Sequence, residues 1–116
     1  MITEDYVSFE TAKLLKEKGF NEGCSTTYTP NGFFRTHNYR PLLGDIFAPT
    51  LQMAMKWLRE VHNIDIFPWK IGKGVYSCAI FNSNTSQDLS SDKDFPSEKY
   101  EETAEAAIKY CLENLI

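Results

Sequence analysis

The chain has 116 residues, of which 42% are hydrophobic and 24% charged, and a formal net charge of −4. That length suits one domain with its own core, and that composition excludes a low-hydrophobicity disordered chain. No apolar run approaches the ~18 residues of a membrane span. Cys24, Cys78 and Cys111 are odd in number and far apart, with no CxxC, which argues against a disulfide framework or a zinc site.

The opening stretch MITEDYVSFE is acidic and lacks the apolar centre of a signal peptide, so a cytoplasmic protein is expected. Ser8 is placed to cap a helix running to Lys18, with Phe9, Ala12, Leu14 and Leu15 on its apolar side. Glu10 near its start and Lys16 and Lys18 near its end match the helix dipole. Gly19 followed by Phe20 predicts a left-handed glycine stop.

CSTTYTPNGFFRTHN follows, rich in strand formers around the turn residues Pro30, Asn31 and Gly32. It predicts a hairpin of Cys24–Thr29 with Phe33–His37. YRPLLGDIF, residues 39–47, has no clean period. It is expected to be an ordered loop that tucks Leu42, Leu43, Ile46 and Phe47 under the next helix.

That helix is Thr50–His62, TLQMAMKWLREVH. At 100° per residue, Leu51, Met55, Leu58 and His62 fall on one line, flanked by Ala54 and Val61. Gln52, Lys56, Arg59 and Glu60 form a polar strip only about 100° wide. The strip should be the helix's sole solvent face, with Leu51, Met55 and Leu58 buried. Thr50 supplies the cap and Asn63 the left-handed stop. His62 is read as a helix-end histidine bonding a terminal carbonyl, rather than a switch or ligand.

Ile64–Ile71 carries hydrophobic residues on both faces, and Pro68 within it demands an edge strand or a bulge. After the turn at Gly72-Lys73-Gly74, Val75–Phe81 is the best strand pattern in the chain, and the two make a second hairpin. Residues 82–95 are polar and expected to be a mobile loop. The sequon Asn84-Thr85-Ser86 within it is read as chance. Ser97 is expected to cap a last helix ending near Leu115, with Tyr100, Ala104, Ala107, Ile108, Cys111 and Leu115 on one face. The predicted fold is one α+β domain over 1–116, ordered α-β-β-α-β-β-α, with helices packed on an antiparallel sheet.

Three stretches carry a resemblance: SFETAKLLKEKGF, APTLQMAMKWLREVHNI and YEETAEAAIKYCLENLI. They resemble a group of short proteins of no assigned activity encoded by gut bacteria and their phages or prophages. The likeness implies a mobile-element accessory protein of the bacterial cytoplasm and carries over no functional residue.

No Walker A, GxGxxG or HExxH is present. Cys24, His37 and Asp45 could form a nucleophilic triad only if the fold joined them, and no local signature surrounds Cys24. A non-enzymatic protein without metal or cofactor is therefore expected. Charge is unevenly spread: residues 1–30 carry net −2, 31–80 net +3 and 81–116 net −5. Within the basic middle, Phe33, Phe34, Arg35, His37, Tyr39 and Arg40 mix aromatics with cations, and Trp69, Lys70 and Lys73 extend the group. Such residues anchor protein interfaces. They can also stack on bases and hold phosphates. The plainer alternative is that Phe33, Phe34 and Trp69 pack the core on alternate strand positions. The favoured expectation is a module binding another protein or a second copy of itself as a homodimer. Nucleic acid is the less favoured partner, and no membrane partner is expected.

Overall fold

A computed structural model describes residues 2–36, 42–90 and 94–116. Helix α1 (Phe9–Glu17) starts where Ser8 accepts the Thr11 N–H in its side chain, at 3.2 Å. It stops where Gly19 turns left-handed at φ 95°, which lets the Phe20 and Gly19 N–H groups bond the Leu15 and Lys16 carbonyls.

Strands β1 (Thr26–Tyr28) and β2 (Phe34–Thr36) pair antiparallel across the Pro30–Gly32 turn, with Tyr28 opposite Phe34. They are shorter than the sequence predicts, and His37 lies outside the described residues. The expected loop at 39–47 is corrected in two ways. Ile46–Phe47 is a strand, β3, bonded to the other side of β1 to give the order β2-β1-β3. Leu42 and Leu43 are exposed instead of tucked under a helix. A two-residue strand has no period to read; it forms because β1 offers it an open edge.

Helix α2 (Leu51–His62) is capped by Thr50, which accepts the Met53 N–H at 3.1 Å, and ends at Asn63 in the left-handed region. Leu51, Met55 and Leu58 are buried as the periodicity requires, against β4 and α3. The solvent face is wider than expected, because Met53 and Val61 are also exposed. His62 does not take the carbonyl-capping role expected of it. The Asn63 N–H donates to the Leu58 carbonyl, while the His62 ring stands edge-on to Trp57 at 4.7 Å and its buried Nε2 has no hydrogen-bond partner among the described residues.

Strands β4 (Ile64–Gly72) and β5 (Val75–Asn82) form the second hairpin around Lys73 and Gly74, with a register shift between Lys70 and Gly72. Among the described residues the strands make two antiparallel sheets. Part of the 82–95 segment, residues 91–93, lies outside the described residues. In residues 82–90, the Asn82 side chain accepts the Asn84 and Thr85 N–H groups, and the Leu89 N–H bonds the Ile80 carbonyl.

Helix α3 (Tyr100–Asn114) begins later than Ser97 would start it. Ser97 instead exchanges two backbone bonds with Tyr76 of β5, at 2.7 and 2.9 Å, and its hydroxyl donates to Glu102. Helix α3 packs against α1, α2, β4 and β5. Ala104 and Ala107 are fully buried, and such small side chains permit close approach on several sides. The core thus gathers around α3, with α2 on its flank.

Candidate functional site

The β4–β5 hairpin sorts its side chains by register. Residues directly opposite each other point to the same face, and successive residues alternate. Ile64, Ile66 and Pro68 stand opposite Asn82, Ile80 and Cys78. Ile64, Ile80 and Cys78 are buried, and the Cys78 thiol lies 3.4 Å from the Thr103 carbonyl of α3. This face is the inner one.

The other face therefore carries Asp65, Phe67 and Trp69, opposite Phe81, Ala79 and Ser77. Phe67 is 63% exposed and Trp69 51%, and Ile71, beside the register shift, is also exposed. Beside them, Asp65, Phe67, Phe81, Asn82, Ser83 and Ser86 line an open groove of about 400 Å³. Two exposed aromatics on one sheet face, with a carboxylate and two serines at the margin, suit an apolar partner with a polar rim. Among the described residues Phe67 and Trp69 stay exposed on this face, whereas Ser77 at its far end is buried, its hydroxyl accepting the Phe95 N–H at 3.3 Å.

The residues singled out from the sequence are divided between the two sheets. Phe33 and Phe34 are exposed at the β1–β2 turn, and the Phe34 ring sits 5.1 Å from Tyr6 and 5.5 Å from Tyr28. Arg35 on β2 turns its guanidinium to Asp45, at 2.5 Å, and Thr27 adds a hydroxyl donor to the same carboxylate at 3.2 Å. The Arg35 hydrogen bond, with Thr27 assisting, holds the Asp45 carboxyl below the usual range although burial opposes this. Trp69, Lys70 and Lys73 belong to the β4–β5 hairpin, where all three are exposed. His37, Tyr39 and Arg40 lie outside the described residues.

Sequence reasoning missed Phe67 and Phe81 as members of one face with Trp69. The signal was present in the two-sided hydrophobicity of Ile64–Ile71.

Burial disfavours the thiolate form of all three cysteines. Burial, then the neighbouring Cys78, pushes the Cys111 thiol up to about 12, and burial raises Cys78 and Cys24 as well. Among the described residues, no group of three or more His, Cys, Asp or Glu could hold a metal ion. No helix among them is long and apolar enough to cross a membrane. No family model, curated protein or solved structure matches the chain.

Proposed function

We propose that this protein is a small non-enzymatic interaction module that docks a protein partner on the outer face of the β4–β5 hairpin. The observation that carries this reading is the exposure of Phe67 and Trp69 on one face of a nine-residue strand, with Ile71 exposed beyond them. Aromatic side chains left in water on a rigid sheet are costly unless a partner covers them, and interface energy concentrates in such residues. The likeness of the three helices to short gut-bacterial and phage proteins supports a setting in the bacterial cytoplasm, as an accessory of a mobile element.

The test is affinity isolation from a bacterial host with the wild-type chain, Trp69→Ser, Phe67→Ser and the exposed-site control Leu43→Ser as baits. A partner bound through this face is retained by wild type and Leu43→Ser. It is weakened by each face variant by about 30-fold, the equivalent of ~2 kcal/mol for a hot-spot residue. A partner held equally by all four baits refutes the assignment of the face.

A second reading rests on Trp69, Lys70 and Lys73 all being exposed on this hairpin, a set of residue types suited to base stacking and phosphate contact, although Lys70 points to the opposite face from Trp69. The Arg35–Asp45 pair leaves fewer cations for that role. Titration with single-stranded DNA or RNA decides it, since phosphate binding must weaken steeply with salt. No binding at low salt removes it.

A further inference from the structure

The β4–β5 sheet has two edges, and in an antiparallel ladder alternate residues aim their backbone groups at each. The Ser83 N–H donates to the Asn63 carbonyl at 2.8 Å, in line with Ile64 opposite Asn82. The residues bonded across the hairpin are therefore Asp65, Phe67 and Trp69 with Phe81, Ala79 and Ser77. The outward set on β5 is Tyr76, Cys78, Ile80 and Asn82. Later chain occupies that edge: Tyr76 pairs with Ser97, the Ile80 carbonyl accepts from Leu89, and the Asn82 N–H donates to Gln87.

The outward set on β4 is Ile64, Ile66, Pro68 and Lys70, and among the described residues no backbone bond reaches that edge. Proline has no N–H, so at this parity Pro68 removes no bond from the hairpin. One residue earlier or later it would break the ladder. What it removes is a donor at the middle of the free edge. The edge needs such a device, since a nine-residue strand with Ile64, Ile66, Phe67, Trp69 and Ile71 is a template for adding a strand from another molecule.

We propose that Pro68 is an edge guard: by withdrawing the N–H at the centre of the free β4 edge, it keeps a second copy of this chain from pairing there. The outer face then stays open, whatever partner it takes.

The experiment compares wild type, Pro68→Thr and Pro68→Ala by sedimentation velocity over a wide concentration range, with hydrogen exchange read at residues 64, 66 and 70. Wild type is expected to sediment as a single chain. Each variant regains the N–H and shifts towards at least twice that mass as concentration rises, with protection appearing at those amides. Adding Lys70→Pro to Pro68→Thr places a proline at another outward position and restores the single chain. Pro68→Ala, with its small side chain, carries the comparison if Pro68→Thr does not fold. The proposal is overturned if a folded variant associates no more than wild type. Association that persists in the Lys70→Pro double variant, or leaves the three amides unprotected, overturns it too.

Discussion

Asp45 is the residue whose environment most constrains its chemistry. Its side chain is only 2% exposed, and Arg35 is the main reason its carboxyl stays ionised. A carboxyl depressed in the folded state stabilises the fold above its unfolded pKa of ~3.9, and that contribution fades as pH falls through the lower folded value. Denaturant curves of wild type and Asp45→Asn should therefore separate at neutral pH and converge in acid. A constant separation across that window would show that the ion pair is not the cause. The cysteines offer a second residue-scale check. Cys24 is half-buried while Cys78 and Cys111 are enclosed, so an alkylating reagent should label Cys24 first and the other two only on unfolding. Mass spectrometry of peptides from briefly labelled native protein reads the order.

At the scale of elements, α1 and α2 behave as local rules require, because a cap, an apolar stripe and a left-handed stop are encoded within one stretch of chain. Leu58 is wholly buried and Val61 is 55% exposed three residues later. Leu58→Ala should cost about 2–5 kcal/mol by cavity formation, whereas Val61→Ala should change stability by no more than ~0.5 kcal/mol. Urea unfolding of the two variants measures the contrast, and equal losses would contradict the orientation of α2. The start of α3 shows where local rules stop. Ser97 has the chemistry of a cap, but the backbone of Tyr76 competes for it, and pairing with β5 moves the helix start to Tyr100. That competitor lies 21 residues away in sequence, so no window around Ser97 contains it.

At the scale of the whole molecule, α3 joins the two sheets by touching both α1 and the β4–β5 hairpin. Its Glu105 accepts the Ser8 N–H and the Thr11 hydroxyl, each at 2.8 Å, and so completes the N-terminus of α1 from a distant helix. Glu105→Ala should cost about 1–3 kcal/mol, as expected for hydrogen bonds to a charged group. Glu105→Gln keeps an acceptor oxygen and should lose less. If the two variants melt alike, the hydrogen bonds are not what Glu105 contributes. The candidate surface is also a property of this scale. Trp69, Lys70 and Lys73 were legible as candidates because Trp and Lys stand out in composition. Phe67 and Phe81 were not, since the face they share with Trp69 follows from the register of β4 against β5.

The class of the fold, the bounds of α1 and α2, both hairpin turns and the restriction of the Pro68 strand to an edge or a bulge follow from local chemistry of the chain. All of these rest on interactions within a few residues, or on the fixed φ and missing donor of proline. Long-range packing set the division of the strands into two sheets, the completion of the first by Ile46–Phe47, and the central place of α3. It alone decided that Arg35 is held by Asp45 while Trp69 stands open on another sheet. Those outcomes depend on which distant backbone groups and apolar faces meet, and the same local pattern is compatible with several such meetings.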